Sequence, residues 1–226
     1  MPFRILFVTA TEAEAVSIIR VSKQTRVPSV YSIGDNEISL LVAGIGSVTT
    51  AWNMKQWLSV NERPDLIINA GIAGSYKDHF VNGDIVMPET DCFADAGIED
   101  RDNFRSLFEA GLVHANEFPF HNGVIHSDRR YTDLLKGLLQ PVRAITVNMS
   151  TGSEVTIKKL SEKFNPDIET MEGATFFYIC ARERLPFFAV RAISNKVEPR
   201  NRNNWDIKLA IDNLSEKLKE IFLILK

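Results

Sequence analysis

Two cysteines, no run of Lys or Arg and no long apolar segment define what this 226-residue chain does without. Cys92 and Cys180 lie far apart and match no metal-ligand spacing, so neither a disulfide framework nor a bound metal is expected. The formal net charge is -3, without the concentrated basic face that nucleic acid or an anionic membrane needs. A small molecule or another protein is the partner this composition favours. The apolar run from Ile5 to Ala10 breaks at Glu12 and Glu14, so neither a signal peptide nor a spanning segment is expected, and the expected compartment is a reducing cytoplasm. Repeats and low-complexity linkers are missing too. Gly44-Ile-Gly46 lacks the third glycine of a dinucleotide fingerprint, and no Walker lysine is present.

What is there is an α/β pattern. Hydrophobic residues make up 45% of the chain and charged ones 24%, enough for one domain over residues 1–226 with a sizeable core. Apolar runs at 4–9, 38–43, 66–70, 142–149, 168–170 and 187–193 read as strands. Helical patterns cover 48–60, 129–139, 154–164, 174–183 and 205–225. Gly71-Ile-Ala-Gly74 reads as a tight turn closing the third strand. From Cys92 to Asn122 the periodicity fades into a Phe-rich, acidic stretch, expected to be functional or an interface.

Each strand ends in a cluster of Gly, Ser, Thr, Glu or Asn. Singly, such clusters are ordinary turn and cap chemistry; six together outline a ligand site. The chain is organised around Ile168 to Gly173, the helix that follows and the strand from Phe187 to Asn195. A strand-helix-strand unit of this kind is expected to run its strands parallel, with Glu172 and Asn195 at one edge of the sheet. Glu172, beside a helix carrying Phe176, Phe177 and Tyr178, is expected to have a partly buried carboxylate that needs donors. A sugar diol supplies them; the plainer reading is an acid facing a helix dipole. Glu14 reads equally as a first-turn helix residue, and Asn195 as a turn cap.

Thr11-Glu-Ala-Glu14, Gly44-Ile-Gly, Ile68-Asn-Ala-Gly-Ile-Ala-Gly74, Gly83-Asp-Ile-Val86, Thr170-Met-Glu-Gly173 and Arg191-Ala-Ile-Ser-Asn195 resemble, in order and spacing, the nucleoside phosphorylase and nucleosidase superfamily. Phe93-Ala-Asp-Ala-Gly-Ile-Glu-Asp100 and Ser194-Asn-Lys-Val-Glu-Pro-Arg200 look most like its futalosine-hydrolysing branch. The resemblance implies a three-layer αβα fold on a mixed, twisted sheet, a homo-oligomer, and hydrolysis without metal or organic cofactor. It makes Glu14 the carboxylate that activates water and Glu172 the one that holds the ribose hydroxyls, with Met171 against the sugar. Ala73, Gly74, Ser150 and Thr151 match segments lining the base pocket. Asn195 falls where adenine-specific nucleosidases carry an aspartate. An amide cannot act as a general acid, but it can donate to a 6-oxo oxygen and accept from the protonated imidazole nitrogen, so hypoxanthine or guanine fits. Arg200, Arg202, Arg101 and Arg105 are candidates for the benzoate of futalosine, although most of them read equally as exposed arginines away from any site, and Trp205 is a candidate for a lid or for core packing. Methylthioadenosine/S-adenosylhomocysteine nucleosidase and purine nucleoside phosphorylase stand as alternative activities. A nucleoside-binding protein without catalysis is the alternative of another class.

Overall fold

The computed structural model describes residues 2–101 and 103–225. Its layers are set by alternation along the first strand, β1 (Phe3–Thr9): Ile5 and Phe7 enter one apolar cluster, Leu6 and Val8 the other. β5 (Leu66–Ser75), beside β1, and β12 (Phe187–Lys196), beside β5, share both clusters: Ile68 and Val190 join Ile5, whereas Ile67 and Ala189 join Leu6. Strands buried on both faces read as near-continuous apolar runs, as these do.

Helices cover both faces. On the Ile5 side lie Ile18 of α1 (Glu12–Ile19), Leu135 of α3 (Arg129–Leu135) and Leu214, Leu218 and Ile221 of α6 (Ile207–Ile224). On the Leu6 side lie Met54 of α2 (Ser47–Val60) and Phe176, Phe177 and Cys180 of α5 (Gly173–Arg182). Each fully buried Leu or Phe here contributes roughly 1.5–3 kcal/mol relative to an exposed one. The result is the expected three-layer αβα arrangement.

The remaining elements are α4 (Glu154–Phe164) and the strands β2 (Lys23–Gln24), β3 (Val30–Ile33), β4 (Asn36–Val42), β6 (Ile85–Asp91), β7 (Gly97–Asp100), β8 (Asn103–Ser106), β9 (Ile125–His126), β10 (Gln140–Thr146) and β11 (Ile168–Thr170). Their order in the main sheet is β11-β10-β6-β12-β5-β1-β4-β3-β2, with β9 on β6. The sheet is mixed: β12, β5, β1 and β4 run parallel to one another, while β6 opposes β12.

Two local expectations are corrected. Gly71 to Gly74 makes no turn, because β5 continues through it to Ser75. The strands around α5 do not run in one sense: β12 is parallel to β5, whereas β11 is antiparallel to it. Twist curls the sheet until β11, already paired with β10, also meets the far end of β5. The stretch from 92 to 122 contains a hairpin, β7–β8, and most of its Phe rings pack on their own chain: Phe93 and Phe120 against the α5 side, Phe108 on Phe120. Among the described residues no helix is long and apolar enough to cross a membrane.

Candidate active site

At the carboxyl ends of β1, β5 and β12 a cavity of about 290 Å³ opens. Its walls bring together residues far apart in sequence, and each is held by an identifiable local cause.

Glu14 comes from the first turn of α1. Thr11 caps that helix by accepting from the Glu14 N–H at 3.2 Å, and the Glu14 carboxylate answers by accepting from Thr11 N at 2.9 Å, a closed capping box. Its Oε2 also accepts from Thr11 Oγ1 at 2.9 Å and Ala10 N at 3.1 Å, and Oε1 accepts from Ile72 N at 2.9 Å. The side chain is 6% exposed. Gly71 matters because a Cβ there would collide with Oε1.

Glu172 is the N-cap residue of α5, yet its side chain makes no cap bond. It turns away and accepts from the Gly46 N–H at 2.8 Å, across 126 residues of sequence. Gly46 sits at φ +85°, a conformation L side chains rarely adopt, and this is what aims its N–H at the carboxylate. Burial pushes the Glu172 carboxyl above the ordinary range; the Gly46 bond and the Arg191 charge pull it back, and Glu14 adds to the rise.

Behind the cavity floor Arg191 is buried, its guanidinium donating to Asn69 O at 3.0 Å, to Val190 O at 2.9 Å and to Asn69 Oδ1. Burial pulls its pKa down, and Glu172, Glu14 and Asp91 oppose that. Asp91 is buried too and accepts from Thr146 Oγ1 at 2.9 Å; the same hydroxyl accepts from Ala174 N at 2.7 Å. Asp91 and Thr146 thereby fix the first turn of α5, directly after Glu172.

Asn195 reaches the cavity through a β-bulge. Ile193 pairs with Ala73, the register shifts, and Asn195 rather than Ser194 pairs with Gly74. Its Nδ2 donates to Lys196 O at 2.9 Å and its Oδ1 accepts from Ser194 Oγ at 2.8 Å. One N–H and one lone pair are left for a ligand.

Of the thirteen residues singled out from the sequence, nine line this cavity: Glu14, Ala73, Gly74, Ser150, Met171, Glu172, Asn195, Arg200 and Trp205. Thr151 does not; it stands behind the wall, and its N–H donates to Glu169 Oε1 at 2.9 Å. Trp205 precedes α6 rather than starting it, and the Arg200 guanidinium lies 5.6 Å from its ring centre. Arg202, in a 3₁₀ turn, and Arg101 and Arg105, near the β7–β8 hairpin, are not in the lining. Glu169, Ile45 and Thr170 line the cavity without having been singled out. The sequence carried one signal for Glu169: an acid at the centre of Ile168-Glu-Thr170, a run that reads as a short strand. Among the described residues no group of three His, Cys, Asp or Glu could hold a metal ion.

Comparison with known proteins adds the family. The chain is 27% identical over 197 residues to a 5'-methylthioadenosine/S-adenosylhomocysteine nucleosidase of Buchnera aphidicola subsp. Schizaphis graminum, covering 83% of this chain and 79% of that one. It is 27% identical over 192 residues to a futalosine hydrolase of Streptomyces coelicolor, with the same two coverages. The fold superposes on a 5'-methylthioadenosine/S-adenosylhomocysteine nucleosidase structure from S. pneumoniae with a TM-score of 0.82 at 19% identity, over 99% of this chain and 100% of that one. The sequence profile of the phosphorylase superfamily matches residues 1–226 from end to end, and the chain belongs to that superfamily.

Proposed function

We propose that the chain, as a single domain, hydrolyses the N-glycosidic bond of a 6-oxopurine nucleoside, futalosine, and releases hypoxanthine. The observation that carries this reading is one cavity with two carboxylates, Glu14 and Glu172, and an amide, Asn195, where a base-protonating acid would otherwise stand.

The bond breaks through an oxocarbenium-like state, with positive charge growing on the sugar and negative charge on the leaving base. Glu172, anchored by the Gly46 N–H, holds the ribose hydroxyls and stabilises the cationic sugar. Glu14 Oε1 accepts from Ile72 N, the other three donors going to Oε2, so Oε1 keeps a lone pair that orients the water and takes its proton as oxygen bonds to the anomeric carbon. The C–N bonding pair leaves with the purine. The remaining Asn195 N–H donates to the 6-oxo oxygen; the departing base takes a proton from solvent at its imidazole nitrogen, and the free lone pair of Asn195 accepts from that N–H. A base lacking that pattern can lose up to about four orders of magnitude.

Water rather than phosphate suits the cation count. Phosphate needs fixed guanidinium groups, but Arg191 is spent on Asn69, and the cation in the lining is Arg200, at the Trp205 end. Arg200 there suits the benzoate carboxylate of futalosine. A homo-oligomer completes the reading: Ile45, on the cavity rim, and Val48 and Trp52 of α2 are 59%, 81% and 69% exposed, an apolar face for a partner subunit to cover.

The second reading, methylthioadenosine/S-adenosylhomocysteine nucleosidase, is favoured by relatives of that name at equal identity. Purified protein incubated in phosphate-free buffer with futalosine, inosine and methylthioadenosine, with free base followed by chromatography, separates them. Hypoxanthine from futalosine is the expected result. Adenine alone would select the second reading, and turnover only on adding phosphate would defeat hydrolysis.

A further inference from the structure

Asn69 lies in the middle of the sheet on β5, 4% exposed, and takes no part in the chemistry described above. A buried amide is costly unless its donor and its acceptor are both met. Here both are. Its Nδ2 donates to Val8 O on the neighbouring strand β1 at 2.9 Å, which turns Oδ1 toward β12 on the other side. There Oδ1 accepts from Arg191 Nη2, and the Asn69 main-chain carbonyl accepts from Arg191 Nη1 at 3.0 Å. One residue thus grips both nitrogens of the guanidinium fork, and Val190 O accepts from Nη1 as well, at 2.9 Å.

The grip has a place and a charge. Asn69 and Gly71, two apart on β5, share a face of the sheet, and Arg191 is the register partner of Gly71 on that face. The Glu14 carboxylate comes over the same glycine, where a Cβ would collide with Oε1. The helix that Glu172 begins, α5, packs on this face too, in one apolar cluster with Ile67 and Ala189. Only carbonyl oxygens hold the guanidinium, and among the described residues Arg191 forms no ion pair. A carboxylate at position 69 would make a close charge-assisted pair and cancel the charge where it stands, whereas an amide leaves it whole. The acids that face it are Glu172 from α5, Glu14 from α1 and Asp91 from β6. Its charge works against the burial that pushes the Glu172 carboxyl up.

We infer that Asn69 is a positioning residue: it fixes the Arg191 guanidinium behind the cavity floor and leaves its positive charge whole for Glu14 and Glu172. This rests on the purine-nucleosidase reading and adds to it the group that holds the counter-charge of its two acids. Glu172 must be ionised to hold the hydroxyls and stabilise the cationic sugar. If the anchor of Arg191 were itself anionic, the guanidinium would be spent on it, and burial would keep the proton on Glu172 to higher pH.

The pH dependence of kcat/KM with futalosine, measured on the unaltered protein and on Asn69→Asp, tests the assignment. The near-isosteric aspartate keeps the oxygen that Arg191 Nη2 donates to and sets a negative charge against it. It also loses the donor to Val8, a cost read in the melting temperature and not in the position of the limb. The acidic limb is expected to move up by about one pH unit or more, as a charge a few ångströms away commonly shifts a carboxyl. A limb that stays in place in folded Asn69→Asp, with hypoxanthine still released, would overturn this role alone. Asn69→Ala serves if Asn69→Asp fails to fold, because it frees one nitrogen of the fork and adds no charge. Its kcat should fall about tenfold or more with KM little changed. An unaltered kcat with only a lowered melting temperature would make Asn69 structural and sink the proposal. No release of base from any nucleoside by the unaltered protein would sink the nucleosidase reading with it.

Discussion

Four protein donors converge on the Glu14 carboxylate, three from the Ala10–Thr11 turn and one from Ile72. A group that both closes a capping box and faces a cavity is subject to two constraints, and a conservative change separates them. Glu14→Gln keeps the side chain's length and one acceptor oxygen but cannot take a proton from water. Its kcat should fall about 10²- to 10⁴-fold, the usual contribution of a positioned base, while KM changes little. Steady-state kinetics on futalosine reads this directly, and an unaltered kcat would remove Glu14 from the chemistry. At this scale the sequence was informative where a residue type is itself the chemistry: Glu14, Glu172 and Asn195 were picked out as an acid, an acid and an amide. Glu169 escaped because nothing in Ile168-Glu-Thr170 tells which face of a three-residue strand meets a cavity and which meets a helix.

Among the secondary-structure elements, β5 decides the site. It carries Gly71, Ile72, Ala73 and Gly74 in one uninterrupted strand, and its small residues let the side chains of neighbouring elements approach. Gly71→Ala should therefore act on catalysis through Glu14, because the added Cβ meets Oε1 and the carboxylate must leave Ile72 N–H. A fall in kcat of tenfold or more is expected, with a loss of stability on the order of 1–3 kcal/mol from overpacking. Kinetics paired with thermal denaturation distinguish this from unfolding, since the surviving folded fraction should still bind the base. The Gly-Ile-Ala-Gly spelling suggested a turn from the sequence, since two glycines three apart are commonest in loops. Here the glycines serve close approach, and the strand holds because β12 pairs with it along almost its full length. The bulge at Ser194 was equally unreadable: a strand's spelling does not say where its partner's register shifts.

For the whole molecule, the buried carboxyl of Asp91 links stability to pH. Burial raises it to about 7, opposed by the Thr146 bond, the Arg191 charge and the Cys92 backbone, with Glu172 adding to the rise. The folded form thus binds a proton that the unfolded chain has released from about pH 4 upward, so this group lowers stability as pH rises and its cost levels off above about 7. The full cost is roughly 4 kcal/mol. Asp91→Asn keeps an oxygen for Thr146 to donate to and removes the ionisation. Its melting temperature relative to the unaltered protein should climb between pH 5 and pH 8, and a difference that stays flat with pH would exclude Asp91 as the titrating group. The alternating and continuous apolar runs, the helix caps and the acids fixed the α/β layering and the chemistry on offer, because periodicity and side-chain type are local properties of a chain. Which acids share a cavity, that β11 opposes β5, and that Asn195 and Glu169 both pair with Gly74 depended on sheet twist and register. Those arise only when strands distant in sequence pair, and no single stretch encodes them.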